Sequence, residues 1–177
     1  MNYLVRFLCH EANFISAAPI CISYSMTFSH DGLRDSLTHL AAPPYFYENL
    51  RRELGTAERN KSQLSLIRFL ISKNAAEIQN TESEIESENS QYEVAILSFA
   101  EILKVSIRSE DLCARLVQLE FTLVIKASSD AAASLAQRVM GGWQMDSFDC
   151  YYSVATADNS ESSLEILNRL DNQELKK

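Results

Sequence analysis

The spacing of apolar residues predicts a strand, a helix and a second strand in the first part of the chain. Apolar and polar side chains alternate over 20–29, which is typical of a half-buried strand. Apolar residues recur at helical spacing from Phe46 to Leu54, so a helix is predicted at 44–59. The short apolar run at 64–72 favours a buried strand.

The remainder of the chain predicts an α+β domain. The acidic, serine-rich stretch 74–93 is expected to be a solvated loop, with a frayed helical turn as an alternative. The elements predicted after it are a helix around 96–107, strands at 112–116 and 119–125, a helix from an N-cap at Ser129 or Asp130 to Gly141 and Gly142, a strand at 148–156 and a helix at 160–175. The order β-α-β-β-α-β over 64–156 is typical of a ferredoxin-like antiparallel sheet with helices on one face, here with flanking helices at both ends.

Composition and charge indicate which kinds of partner the protein can bind. The 177 residues, 46% of them hydrophobic, suit one domain with its own core. The formal charge of -8 disfavours a nucleic-acid partner, because such proteins carry a basic surface. An anionic ligand would need a few arginines that converge. No apolar run predicts membrane insertion and no signal peptide is evident, so a cytoplasmic chain is expected.

The spacing of the cysteines predicts no cofactor or metal site. Cys9, Cys21, Cys113 and Cys150 are far apart in sequence and form no C-x-x-C motif, so reduced, buried thiols are expected.

Four motifs resemble GGDEF domains, the diguanylate cyclase family. DSLTHL at 35–40 is similar to the family's D-x-L-T-G-L opening. The stretch 100–121 is similar to its helix, its R-x-x-D and its G-G-D/E-E-F hairpin. AQRV at 136–139 and YSVATA at 152–157 are similar to the helix and strand that follow. The resemblance implies the palm-type fold of nucleotide cyclases and a role in bacterial signal transduction.

The resemblance also implies a domain division. It extends over 35–177, which is interpreted as a degenerate GGDEF domain. Residues 1–34 are then an N-terminal extension with one strand at about 20–29.

The departures from the family pattern imply that the domain is not an enzyme. The family joins two GTP molecules into cyclic di-GMP with carboxylate-held metal. Leu70 and Ser72 stand at its D-x-D positions, and Val117, Gln118 and Leu119 replace its two glycines and first hairpin acid. A tyrosine, Tyr92, replaces a further glycine, and Ala42-Pro43 replaces an N-R. No catalytic residue and no metal site are therefore predicted.

One acid of the family's hairpin remains. Glu120 is followed by Phe121, as in the G-G-D/E-E-F pattern. Its side chain is expected to be solvated or to stabilise the hairpin, with a role as a lone metal ligand as the less favoured alternative.

The R-x-x-D motif implies a ligand site. In the family this motif lies five residues before the hairpin and binds product cyclic di-GMP, and Arg108 and Asp111 keep that spacing. A guanidinium can donate to guanine O6 and N7, while a carboxylate can accept from the N1–H and N2–H₂ groups. The family adds an arginine from the next helix, which is matched by Arg138. A surface ion pair at a helix end is the plain structural alternative.

The sequence therefore leaves two candidate functions. The first is a catalytically inactive receptor for cyclic di-GMP, through Arg108, Asp111 and Arg138. The second is a nucleotide-independent interaction or dimerisation module, paired with itself or with another signalling protein, in which the edge of the 20–29 strand could extend a sheet.

Overall fold

A computed structural model describes residues 29–74 and 85–177, without the side chains of 85–88. Helices and strands alternate in it as α1 (Pro43–Asn60), β1 (Ser65–Lys73), α2 (Ile85–Ser106), β2 (Leu112–Val117), β3 (Glu120–Ile125), α3 (Ser129–Gly142), β4 (Phe148–Thr156) and α4 (Ser163–Asp171). The strand predicted at 20–29 lies outside this region except for Ser29. The division of the chain at 34 stays a prediction.

The described strands form one antiparallel sheet in the order β2-β3-β1-β4. Strand β1 lies at its centre, between β3 and β4, and β2 and β4 form its edges. This is the strand order of a ferredoxin-like βαββαβ unit, so the α+β fold predicted from the apolar pattern is confirmed.

Helices cover both faces of the sheet: α2 and α3 of the βαββαβ unit share one face, as predicted, and the flanking helices α1 and α4 cover the other. Ile67 and Phe69 of β1 pack with residues of α2 and α3. Leu66, which points the other way, packs with residues of α1 and α4, such as Phe46 and Ile166. The flanking helices thus complete a second layer, because a central strand that is apolar on both faces must be covered twice.

Three helices differ from the sequence prediction, and one of them, α4, is shorter at both ends than the predicted 160–175 because it spans Ser163–Asp171. Helix α2 begins at Ile85, inside the stretch expected to be a solvated loop. Tyr92, in the early part of α2, packs edge-on against Phe148 with 5.2 Å between the ring centroids. This tertiary contact supports a helix that the acidic sequence did not indicate. Helix α3 is capped by Ser128, whose side chain accepts from the Ala131 N–H group, and not by Ser129 or Asp130.

The segment that precedes α1 lies along the free edge of β2. Ala41 forms a parallel bridge with Ala114, and its N–H group donates to the Cys113 carbonyl at 3.0 Å. Cys113 and Cys150 are free and buried, as expected; Cys9 and Cys21 lie outside the described residues. None of the helices in the described ranges is long and apolar enough to cross a membrane.

Candidate functional site

The hairpin between β2 and β3 forms a tight turn that contains no glycine. Val117 pairs with Glu120, and Gln118 and Leu119 form the turn between them. The non-glycine residues with positive φ in the described chain are His39, Lys61 and Ser160, so the turn uses no left-handed residue. The Leu119 carbonyl accepts from the Ile71 N–H group at 3.0 Å, which holds the hairpin against the end of β1.

The positions matched to the family's metal ligands carry no carboxylate. Leu70 lies opposite Glu120 in the β1–β3 register, and Ser72 is exposed two residues further along. In the parts of the chain that are described, no group of three or more His, Cys, Asp or Glu side chains is placed to hold a metal ion.

Glu120 instead stabilises the hairpin through a cross-strand ion pair. Its Oε2 lies 2.8 Å from a guanidinium nitrogen of Arg68, and the two side chains are only 16% and 17% exposed. Asp171 of α4 lies 3.7 Å from the same guanidinium. Burial raises the pKa of Tyr47 above its ordinary value, and the charges of Glu120 and Asp171 add to that rise. The retained acid is therefore part of the packing between sheet and helices.

A buried ion pair ties the segment before α1 to β2. Arg115 donates from Nε to Asp35 Oδ2 at 3.0 Å and from a terminal nitrogen to Oδ1 at 2.5 Å. The Thr38 hydroxyl also donates to Oδ2, at 2.6 Å. Burial raises the pKa of Asp35, but the hydrogen bonds from Arg115 and Thr38 outweigh it and hold that pKa below its ordinary value. Sequence reasoning missed Arg115; the signal was a charged residue in the otherwise apolar strand LCARLV.

The opening motif forms a tight loop with a histidine in place of the glycine. His39 stands where D-x-L-T-G-L has glycine, and it has φ 58°. Histidine tolerates this left-handed conformation better than a β-branched residue does. The loop consequently folds back, so that Asp35 accepts from the His39 N–H group at 2.9 Å through its carbonyl.

Arg108 and Asp111 come together in the tight turn between α2 and β2. The Asp111 carboxylate accepts from the Arg108 backbone N–H group at 2.9 Å, and the Asp111 N–H group donates back to the Arg108 carbonyl at 3.1 Å. The Arg108 guanidinium is directed outward, with its side chain 81% exposed and 3.9 Å from Glu110. Both residues line a groove of about 750 Å³.

Arg138 lies near the same turn but is engaged elsewhere. A terminal nitrogen of its guanidinium donates to the Ser106 carbonyl at 2.9 Å, at the last residue of α2. Arg138 thereby caps α2 two residues before Arg108, and it does not line the groove. The structure thus unites Arg108 with Asp111 and leaves Arg138 as an anchored neighbour.

Comparison with known proteins identifies the fold. No protein-family model and no curated protein sequence matches the chain. Solved GGDEF domains share its structure. The GGDEF domain of YfiN (TpbB) from Pseudomonas aeruginosa is 20% identical with a TM-score of 0.64, and the match covers 78% of this chain and 84% of that chain.

Two further structures were solved as complexes. The GGDEF domain of DgcB from Caulobacter crescentus, in complex with c-di-GMP, is 16% identical with a TM-score of 0.65 and coverages of 81% and 88%. The diguanylate cyclase SiaD from Pseudomonas aeruginosa, in complex with its activator SiaC, is 20% identical with a TM-score of 0.65 and coverages of 78% and 55%. The chain therefore has the fold of GGDEF domains, as its motifs implied.

Proposed function

We propose that this chain is a catalytically inactive GGDEF-type signalling domain that binds cyclic di-GMP. The observation that carries the proposal is the α2–β2 turn, in which Arg108 and Asp111 lie together at the rim of a groove. A DgcB domain of the same fold was solved with this nucleotide bound, which makes it the first ligand to test.

The geometry of the turn suits recognition of a guanine edge. Asp111 uses Oδ2 to accept from the Arg108 backbone, and no hydrogen bond among the described residues uses its Oδ1. The Arg108 side chain extends from the same turn into solvent. A base that donates N1–H and N2–H₂ to Asp111 could accept at O6 and N7 from an arginine in this position.

Contacts from Arg108 and Asp111 to one base are too weak for a micromolar Kd. A good bidentate contact contributes about 1–3 kcal/mol, whereas a micromolar Kd corresponds to about 8 kcal/mol. The ligand must therefore contact more of the domain than this turn. Arg138 is a candidate, because one of its nitrogens is held only two residues away, at Ser106.

The residues at the hairpin end support the inactivity part of the proposal. Leu70, Ser72 and Leu119 offer no carboxylate for a metal ion. Glu120, which could, is held by Arg68 beneath the helices. A phosphoryl-transfer site needs carboxylates for divalent metal and backbone N–H groups that approach phosphate closely.

Calorimetric titration with cyclic di-GMP tests binding. The native chain is expected to bind, and Arg108→Ala is expected to weaken binding about tenfold or more, as the loss of a bidentate contact of 1–3 kcal/mol predicts. Arg51→Ala is the matched control, because Arg51 is 73% exposed, lies on α1 and does not line the groove. Absence of heat at high ligand concentration, or an equal loss in both variants, would contradict the proposal.

Incubation with GTP and Mg²⁺ tests inactivity. No cyclic di-GMP is expected by chromatography after long incubation at high protein concentration. Measurable product that disappears in a Glu120→Gln variant would refute the inactivity proposal directly.

A second candidate function is self-association through α2. Val94, Leu97 and Val105 lie along one side of this helix and are 51%, 40% and 82% exposed, with the exposed Glu101 between Leu97 and Val105. Exposed apolar side chains on one side of a helix are candidates for contact with a second copy of the chain. Sedimentation of the native chain beside Leu97→Glu tests it: concentration-dependent dimers that the variant abolishes support this function, and a native monomer at all concentrations rejects it.

A further inference from the structure

The groove beside the α2–β2 turn is basic, although the protein as a whole is acidic. It holds about 750 Å³, within the range of small-molecule sites. Its walls are the loop before α1, the end of α2 and the turn itself. Three cationic side chains line it, Arg34, Lys104 and Arg108, against the single carboxylate of Asp111. The lining thus carries more positive than negative charge, although Glu101 and Glu110 outside it pair with Lys104 and Arg108, and such a lining suits an anionic ligand.

Two of these cations, Arg34 on the loop before α1 and Lys104 on α2, already have hydrogen-bond or ion-pair partners. A terminal nitrogen of Arg34 donates to the His39 carbonyl at 2.8 Å, which leaves other donors of the guanidinium for a ligand. The Lys104 ammonium lies 2.7 Å from Glu101, one turn back on α2, and its side chain is 37% exposed. A cation whose position is already fixed loses less freedom when it meets a phosphate.

An aromatic ring stands at the mouth of the groove. Tyr45 is in the first turn of α1, where Pro43 and Pro44 set the backbone, and it is 41% exposed. It lines the basic groove and also a smaller one of about 170 Å³, whose wall includes Asp111. The ring is thus beside the turn and open to solvent, as a base-stacking platform requires.

We propose that the groove holds the rest of the cyclic dinucleotide: Tyr45 stacks on a base, and Lys104 and Arg34 take the phosphates. The inference rests on the proposed function, and it supplies contacts that the turn lacks. A ligand with two purine bases and two phosphate charges matches a site that offers an aromatic face, fixed cations and a guanine-reading turn. A single domain then binds one ligand without help from a second chain.

Titration of Tyr45 and Lys104 variants with cyclic di-GMP tests the groove. Tyr45→Ala is expected to weaken binding about 5- to 100-fold, the loss of one base–aromatic stack, while Tyr45→Phe stays within about twofold of the native chain because it keeps the ring. Tyr47→Ala is the control, since Tyr47 is 48% exposed on the same helix but does not line the groove. Lys104→Gln is expected to weaken binding roughly three- to tenfold and to reduce its salt dependence.

The outcomes separate this inference from the function on which it rests. Binding that needs Arg108 but is unchanged in Tyr45→Ala and Lys104→Gln overturns the groove and leaves the proposed function standing. Binding that needs Tyr45 and Lys104 but not Arg108 supports the groove and overturns the role of the turn. No binding by the native chain overturns both. Circular dichroism of each variant confirms that it has folded, and all three positions are solvent-accessible.

Discussion

Replacement of Asp35 by asparagine is expected to destabilise the domain strongly. Asp35 is fully buried and Arg115 is 3% exposed, and two hydrogen bonds join them. The variant removes the Asp35 charge from its place opposite the buried Arg115 guanidinium. Removing one partner of a buried pair costs about 3–5 kcal/mol, a large fraction of the 5–15 kcal/mol that stabilises a typical domain. For a chain of this size the melting temperature should fall by about 6–20 °C.

Thermal unfolding followed by tryptophan fluorescence measures this loss. The single tryptophan, Trp143, packs against Phe99 with ring centroids 5.4 Å apart, so its emission reports the core. Glu48→Gln is the matched control, because Glu48 pairs with Arg51 and Arg52 on the surface. Exposed pairs of that kind contribute about 0–1 kcal/mol. A melting temperature for Asp35→Asn no lower than that of Glu48→Gln would refute the reasoning.

Acid titration provides an independent check of the same pair. The pKa of Asp35 is lower in the folded than in the unfolded chain, so its contribution is fully present above the unfolded pKa of about 4 and is lost as the pH falls through the folded value. Native protein should therefore lose stability below about pH 4, and Asp35→Asn should lose less over that range. A double replacement, Asp35→Leu with Arg115→Met, should recover much of the loss, because it leaves no buried charge.

Three further predictions concern other parts of the fold. Glu120→Gln should lower the free energy of unfolding by about 1–2 kcal/mol, because it weakens a shielded ion pair with Arg68; urea unfolding measures it, and an unchanged midpoint would contradict the hairpin-stabilising role. Ser162→Ala should cost α4 about 1 kcal/mol through loss of its capping box, with Ser163→Ala, one residue along, as the neutral control. Burial raises the thiol pKa of Cys113 and Cys150 to about 12, so in a variant whose other cysteines are serine a thiol reagent at pH 8 should react only on unfolding; prompt reaction with native protein would contradict their burial.

Local periodicity predicted most of the core, and tertiary context decided the rest. The strands were predictable because alternating apolar and polar residues, or short apolar runs, indicate which side chains are buried. The start of α2 was not, since Ile85–Glu93 is acidic and its helix depends on contacts such as Tyr92 with Phe148. Both flanking helices were predicted, but not the face that they cover, because β1 is apolar on both faces and its sequence does not say which helix packs on which face.

In the candidate site, too, local sequence predicted some contacts and tertiary structure determined the others. The three-residue separation of Arg108 and Asp111 was enough to predict that they lie close together, because both belong to one short loop. The contact of Arg138 with Ser106 joins residues 32 apart in sequence, and no local pattern encodes it. Likewise, the groove is assembled from the loop before α1 and the end of α2, and the Asp35–Arg115 pair and the Ala41–Ala114 bridge hold that loop against β2.

The proposed loss of catalysis and the proposed ligand binding concern opposite ends of β2, so the two proposals are compatible. The strand begins beside Asp111 and ends at Val117, so the ligand turn and the hairpin lie at opposite ends, roughly 17–20 Å apart. Changes at the hairpin need not disturb the turn across that distance. Arg115 lies between them, and its partner Asp35 belongs to the loop that forms the wall of the basic groove. The buried pair therefore has a role in the proposed function that does not depend on catalysis, because it fixes that wall of the groove against the sheet.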